Sequence, residues 1–363
     1  MNPVNTSEMS GAGFPYVSVL VPARNEARSI RACIDSLMAQ DYPREKYEVI
    51  VIDDSSSDST PQIMRELQNQ YSNVVFAKNA GIGMPKARNT GLSLARGKVI
   101  VNFSAHATAQ SHYLTTIVKR LNESDKVIAG VGCRHEIPPD DPFWAKVFSL
   151  AMRSPLGAMG TSHVQVDKEE LQDSIAFTAY KRDIFDKIGP FDGDLSESDD
   201  AEFNFRLKEA GYRLLYTPAA VVFHRQPTSL AGFTRKMVRY GIGRAKIIRK
   251  HPTSFRVQYS LPTAMVASLV LLIFASLITR NALVSLIPLV LYYAASLLAS
   301  TPYTIKTCQK CLPFVPAAQF AMHVAYGIGF AEGFLMPLQP SSANPGRLRT
   351  SSQEAMAFGM SEV

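Results

Sequence analysis

The stretch V-S-V-L-V-P-A-R-N-E, residues 17–26, decides the fold. Its apolar run stops at Pro22, so 16–22 reads as a buried strand. Directly behind it, 27–40 has helical spacing, with Ile30, Cys33, Ile34, Leu37 and Met38 on one face. The same alternation then repeats. A second strand over 47–52 ends in Asp53-Asp54, and a helix over 59–71 turns Ile63, Met64 and Leu67 inward. A short strand over 73–78, a helix over 84–95 and a strand over 99–103 complete the run. Strands alternating with helices at this spacing predict βαβ units and a mostly parallel sheet. In such sheets ligands bind beyond the carboxyl ends of the strands. Those ends carry Arg24-Asn25-Glu26, Asp53-Asp54 and Ser104-Ala105-His106, which are expected to converge on one crevice.

Beyond residue 107 the pattern loosens. Residues 113–122 look helical, 127–133 extended, and 136–175 fit neither period. A helix over 200–210 is expected to end at Gly211, followed by an extended 214–223.

Charge is unevenly distributed. The formal net charge is +7. No charged residue lies between Arg256 and Arg280, or between Arg280 and Lys306. That contrast predicts a polar body followed by membrane segments. The two uncharged runs, 262–279 and 282–300, are each near the ~20 residues a spanning helix needs. A third run, 312–338, carries His323, Glu332, two prolines and several glycines; its pattern fits spanning or dipping in and returning. Before the first run, 230–250 mixes Phe233, Met237, Tyr240, Ile247 and Ile248 with seven basic residues, the pattern of an interfacial helix. The basic cluster 225–256 and Lys306 and Lys310 flank the hairpin on one side, which predicts that side to be cytoplasmic. No nucleic-acid recognition motif accompanies the charge, so nucleic acid is not an expected partner. The four cysteines make no disulfide framework, and Cys308-x-x-Cys311 has no second pair to complete a zinc site. The first 14 residues lack the basic start and apolar core of a signal peptide.

Four blocks in order carry a resemblance. They are V-S-V-L-V-P-A-R-N-E (17–26), E-V-I-V-I-D-D-S-S-S-D-S-T (48–60), P-K-A-R-N-T-G-L-S-L-A-R-G (85–97) and S-D-D-A-E-F-N-F-R-L-K-E-A-G-Y (198–212). Together they resemble family 2 glycosyltransferases of the GT-A fold. H-R-Q-P (224–227), Y-G-I-G-R-A (240–245) and H-V-A-Y-G-I-G-F (323–330) resemble a membrane-bound branch, the succinoglycan-type enzymes of exopolysaccharide biosynthesis. The resemblance implies an α/β GT-A (nucleotide-diphospho-sugar transferase) fold followed by C-terminal transmembrane helices. It also implies inverting transfer from a UDP- or GDP-sugar to a lipid-linked or otherwise amphipathic glycan acceptor. The expected organisation is a disordered 1–15, a catalytic domain over 16–228, an interfacial region over 229–256, a membrane region over 257–338 with two or three spans, and a disordered tail over 339–363. The expected location is the inner or plasma membrane.

The site residues follow from the matched blocks. Pro22, Arg24, Glu26, Asp53, Asp54, Lys86, Arg88 and Ser104 are implied to line the nucleotide and its diphosphate. Asp53 or Asp54 would accept hydrogen bonds from a base N–H or ribose hydroxyls. Read alone, the same pair also fits a solvated turn feeding a helix capped by Asp58 or Ser59. Lys86 and Arg88 would meet the diphosphate. Inverting transfer needs one carboxylate to deprotonate the acceptor hydroxyl. The resemblance places that base at Asp200, beside Asp199, with Glu202 and Arg206 in support. Acids at a helix N-terminus also satisfy the helix dipole without chemistry. Lys236-x-x-Arg239-Tyr240 resembles the Q-x-x-R-W segment of processive members, implying Arg239 near the diphosphate and Tyr240 near the acceptor.

The expected metal site departs from the family. Its D-x-D is replaced by Ser104-Ala105-His106, leaving His106 and His224 as candidate ligands for Mn²⁺ or Mg²⁺. That loss motivates a second reading, a catalytically inactive GT-A scaffold holding a nucleotide or a partner glycosyltransferase. A dehydrogenase is disfavoured, because no G-x-G-x-x-G follows the first strand.

Overall fold

The computed structural model describes residues 13–157, 167–195 and 198–338. The expected disordered ends lie outside the described residues for 1–12 and for all of 339–363. In chain order the first elements are β1 (Val17–Ala23), α1 (Ile30–Met38), β2 (Tyr47–Asp53), α2 (Thr60–Gln70), β3 (Val74–Lys78), α3 (Met84–Leu94) and β4 (Val99–Asn102). They continue with β5 (Ala107–Ala109), α4 (Tyr113–Glu123), β6 (Ile128–Glu136), α5 (Phe143–Arg153), β7 (Glu170–Gln172), β8 (Ala179–Lys181), α6 (Asp183–Ile188), α7 (Asp199–Glu209) and β9 (Arg213–His224). Four helices close the chain: α8 (Leu230–Lys250), α9 (Leu261–Thr279), α10 (Leu283–Cys308) and α11 (Val315–Leu335).

The strands form one sheet in the order β3-β2-β1-β4-β8-β6-β9-β5, with β7 paired to β9. The first four are parallel, and their register aligns Ala23 with Asp53 and Asp53 with Lys78. β1 and β2 are buried along their whole length, which is why they read as unbroken apolar runs. Beyond β4 the pairing reverses: β8 runs antiparallel to both β4 and β6, and β7 antiparallel to β9. The sheet is therefore mixed, and "mostly parallel" describes only its N-terminal half. The three-residue β8 left no period-2 signal long enough to announce that reversal.

The described residues divide into two compact units. One comprises residues of 13–133 and 170–222; the other comprises residues of 134–169 and 223–338. The first centres on β1, β2 and β4 with α1, α2 and α4 packed against them.

In the second unit, α8 occupies the bounds expected for an interfacial helix, yet one of its faces is covered. Phe233, Met237, Gly241, Ala245 and Ile248 are buried, in a core shared with α5 and α11. Helix α11 approaches α8 closely enough that a Cβ at Gly241 would lie 2.6 Å from the Phe330 nitrogen. A Cβ at Gly333 would lie 2.7 Å from that of Ala245. Gly329 and Gly333 thus form a small-xxx-small face on α11 that meets Gly241 and Ala245 on α8. Arg249 caps the far end of α11 by donating to Gly333 O at 3.0 Å and to Met336 O.

Helices α9 and α10 contrast with α11. The stretches Leu261–Thr279 and Leu283–Leu335 are long and apolar enough to cross a membrane, and only 6% and 11% of the most apolar part of each is buried. Leu271 is 68% and Ile278 81% exposed, a display that water penalises and lipid does not. α11 itself buries twelve of its 21 residues against protein.

Candidate active site

The loops after β1 and β2 are laced together. Asn25 N donates to Ser56 Oγ at 2.9 Å, and Ser57 N returns a bond to Asn25 Oδ1 at 2.8 Å. Glu26 N donates to Thr60 Oγ1 at 2.8 Å. Asn25 (φ 57°) and Ser55 (φ 59°) both adopt left-handed backbone, a strained state for residues with a Cβ. Ser198, at the start of α7, does the same at φ 64°. Three strained positions thus fall inside the three motif blocks R-N-E, D-D-S and S-D-D.

Asp53 and Asp54 have different surroundings. Asp53 Oδ1 accepts from Ser56 N at 3.2 Å. The Asp54 carboxylate accepts from Gly83 N at 2.9 Å and from Asn79 Nδ2 at 2.6 Å. Asp54 therefore fixes the turn ahead of α3. Asp58, not Ser59, satisfies the start of α2: its Oδ1 accepts from Thr60 N at 3.0 Å and from the Thr60 hydroxyl. Pro22 is buried in β1, while Arg24 is exposed with a nitrogen 3.9 Å from Asp54. Lys86 is exposed on α3, its stem lying over Gly81, where a Cβ would meet Lys86 Cδ at 2.8 Å.

His106 turns toward Glu26. Its Nδ1 lies 2.8 Å from Glu26 Oε1, and Ser104 Oγ stands 3.2 Å from its Nε2. Burial pushes the Glu26 carboxyl up, but the hydrogen bond and charge of His106 and the Ser29 hydroxyl bring it below its ordinary value on balance. One imidazole and one carboxylate therefore face each other where the D-x-D was expected. Among the described residues no group of three or more His, Cys, Asp or Glu side chains is arranged to hold a metal. His224 belongs to the second unit, at the end of β9, where its ring meets His135 edge-on at 6.3 Å.

The acidic helix is held by α3. Arg88 forms a buried ion pair with Asp199, and its guanidinium lies 5.6 Å from the Phe191 ring centre. Next to it, Asn89 grips the Phe191 backbone both ways: Nδ2 donates to Phe191 O at 2.8 Å, and Phe191 N donates to Oδ1 at 3.0 Å. Arg206 pairs with Glu202 one turn along α7 at 2.8 Å and also donates to Ile188 O and Pro190 O. Burial pushes the Asp199 carboxyl up against the pull of Arg88, and neighbouring Asp200 adds to the rise. Asp199 is thereby committed to Arg88. Asp200 is half-buried, and among the described residues its Oδ1 accepts from its neighbour's amide, Ala201 N, at 2.9 Å.

Of the sequence-derived site residues, Pro22, Arg24, Glu26, Asp53, Asp54, Lys86, Arg88, Ser104, His106, Asp199, Asp200, Glu202 and Arg206 lie in the first unit. Contacts join Arg24 to Asp54, Glu26 to His106, His106 to Ser104, Arg88 to Asp199 and Glu202 to Arg206. Arg239, Tyr240 and His224 lie in the second. There Lys236 donates to Gln226 Oε1 at 2.9 Å and rests 5.5 Å from the Tyr240 ring centre. Arg239 is exposed. Asn79 and Asn89 were not singled out from the sequence. Asn89 sits inside the quoted A-R-N block, but no side-chain rule distinguishes a two-way backbone clamp from a surface amide.

Known proteins resemble this chain in sequence and in fold. A family model described as glycosyl transferase family 2 matches residues 18–189. A second, described as glycosyl transferase family group 2, matches 175–316. The chain is 24% identical over 327 residues to the dolichyl N-acetyl-alpha-D-glucosaminyl phosphate 3-beta-D-2,3-diacetamido-2,3-dideoxy-beta-D-glucuronosyltransferase of Methanococcus voltae, covering 88% of this chain and 97% of that one. It is 24% identical over 316 residues to the succinoglycan biosynthesis protein ExoA of Rhizobium meliloti (strain 1021), covering 86% and 93%. Among solved structures it resembles the mannosyltransferase PcManGT of Pyrobaculum calidifontis, in complex with GDP-Man and Mn²⁺. There the TM-score is 0.57 at 23% identity, over 89% of this chain and 88% of that one, a likeness of fold.

Proposed function

This chain is a family 2 glycosyltransferase, and from that premise we propose that it transfers a sugar, with inversion, from a UDP- or GDP-sugar to a lipid-linked glycan acceptor at a membrane. The observation that carries the reading is the division of labour between adjacent aspartates. Asp199 is locked by Arg88, so Asp200 is left to act as the base. The acceptor hydroxyl attacks the anomeric carbon, its proton passes to the Asp200 carboxylate, and the nucleoside diphosphate leaves from the opposite face. One attack from behind inverts the anomeric centre. Glu202 and Arg206 hold the Ile188–Pro190 backbone and keep the start of α7 in place.

Asp53 is the residue we assign to the nucleoside, because Asp54 is consumed by the turn before α3. Arg88 serves the acidic helix first, so we assign exposed Lys86 and Arg24 to the diphosphate. A divalent cation fits this set only if it arrives with the donor. His106 and Glu26 would supply one nitrogen and one carboxylate, and diphosphate oxygens the rest. Such a cation would neutralise the leaving diphosphate.

The acceptor class rests on the exposed apolar helices α9 and α10. The basic residues of 225–256 with Lys306 and Lys310 support a cytoplasmic active site. The test is a turnover assay of the reconstituted chain with a panel of UDP- and GDP-sugars, a polyprenyl-phosphate-linked glycan and Mn²⁺. The product's anomeric configuration is read by NMR. Transfer with inversion is expected. Tight donor binding without turnover for every donor would instead favour the inactive scaffold, and retention would rule out single displacement.

A further inference from the structure

Asn102 ends β4 with 4% of its surface exposed, yet among the described residues neither its Oδ1 nor its Nδ2 has a hydrogen-bond partner. Its backbone is satisfied, since Asn102 N donates to Thr178 O at 3.1 Å. Only the side chain is left over, and a buried amide with both ends unpaired is costly where an apolar side chain would fit. That side chain faces the helices that carry the carboxylates. Its neighbours Val101 and Phe103 belong to the core on the α1 and α4 side of the sheet, so Asn102 points to the other side. There Leu20, its register partner in β1, lies against α3: a Cβ at Gly91 would meet Leu20 Cδ2 at 3.1 Å. On the same side Tyr180 of β8, opposite Ile100, donates to Asn204 of α7 at 2.7 Å.

From the Tyr180–Asn204 contact, two steps of similar length lead to Asn102 and to Asp200. Asn102 lies two residues beyond Ile100, roughly 6.6 Å toward the carboxyl end of β4. Asp200 lies four residues before Asn204, roughly 6 Å toward the start of α7. That start is also at the carboxyl end of the sheet, because Asp199 pairs with Arg88 in the first half of α3, whose own start follows β3. Arg88 Nε, over the same face, is likewise buried and unpartnered. Ser104, two residues past Asn102, meets His106 at 3.2 Å. Asn102 therefore stands between the proposed base and the Ser104, His106 and Glu26 group. We propose that Asn102 reads a hydroxyl of the sugar being transferred and so sets which donor the chain accepts; this rests on the transferase reading above. The chemistry of the amide selects the ligand. Its Nδ2 donates and its Oδ1 accepts. A hydroxyl does both and pairs with either end. A diphosphate oxygen only accepts and would leave Oδ1 orphaned, whereas a metal cation would leave Nδ2 orphaned. Arg88 Nε adds one more donor for a neighbouring sugar oxygen.

The test compares the full chain with Asn102→Leu, which keeps the bulk and removes both polar atoms, and with Asn102→Ala. With Mn²⁺ present, calorimetry gives Kd for UDP, for GDP, for the UDP- or GDP-sugar the parent binds best, and for analogues of that donor lacking one hydroxyl at a time. Where transfer occurs, kcat/KM is read for the same series. The parent should lose about 10–100-fold for one analogue, the worth of a hydroxyl whose buried partner is left unpaired. In both variants that one penalty should vanish, while bare UDP or GDP binds as to the parent. The melting temperature of Asn102→Leu without donor should not fall, because the orphaned amide is gone. A parent that binds a donor but discriminates no single hydroxyl, or variants that keep the parent's discrimination, overturn this proposal alone. So does an Asn102→Leu chain that loses stability and bare-diphosphate affinity together, the mark of a structural asparagine served by buried water. A parent that binds neither UDP, GDP nor their sugars overturns the transferase reading and this proposal together.

Discussion

Around α3 and α7, position is set by charged and amide side chains: Arg88 on Asp199, Asn89 on the Phe191 backbone, Arg206 on Ile188 and Pro190. Around α8 and α11 it is set largely by missing side chains, Gly241 against Phe330 and Gly333 against Ala245. The two regions solve different problems. The first must orient carboxylates, and directional bonds do the aiming. The second stands among helices that expose leucine and isoleucine, where the aqueous hydrophobic effect is a weak clamp and close backbone contact replaces it. They should therefore fail in different ways, the first by stranding a charge and the second by overcrowding.

The sharpest test of that contrast is Arg88→Met. It leaves the buried Asp199 without its cation and should cost about 3–5 kcal/mol. Chemical denaturation measures the loss, and hydrogen exchange should quicken over 84–94 and 199–209 while 230–250 keeps its protection. Adding Asp199→Leu should recover much of the loss, because the stranded charge is gone. If the double variant is as unstable as the single, the pair is not what holds α7.

Gly329→Leu probes the other region. A side chain there meets the Val238 backbone, so overpacking should cost roughly 1–3 kcal/mol. The pattern of exchange should invert, with 230–250 and 315–335 loosened and 84–94 unchanged. A neutral result would show that α8 and α11 do not approach as closely as described.

The smallest effect is expected at Glu26→Gln. The folded-state pKa of Glu26 is depressed, so its stabilising effect is present above the ordinary carboxylate range and lost as pH falls through the lower folded value. Its partial exposure, 22% of the side chain, limits the effect to about 1 kcal/mol or less. The variant should lie below the parent at neutral pH and converge with it in acid. A constant gap across pH would remove His106 as the cause.

Much of this was legible in the sequence. The buried strands 17–23 and 47–53 announced themselves as unbroken apolar runs, and α8 fell where its basic and apolar residues alternate. Helix α5 was missed inside 136–175, although Val147, Leu150 and Ala151 recur there at helical spacing. The glycines of 241–243 and 327–329 were visible as motif letters, but only coordinates show that they touch. At the site, the sequence named Asp53, Asp54, Asp199 and Asp200 without separating their tasks. That separation comes from Gly83, Asn79 and Arg88, distant residues whose bonds no local spacing encodes.

The adjacent aspartates give the most direct measurement: kcat and donor Kd for Asp199→Asn and Asp200→Asn, side by side, well below their melting points. Asp200→Asn should keep its stability and donor affinity and lose about 10²–10⁴-fold in kcat, the usual worth of a general base. Asp199→Asn should lose stability first and kcat far less. Equal losses in kcat, or a larger one at Asp199, would contradict the assignment of the base to Asp200.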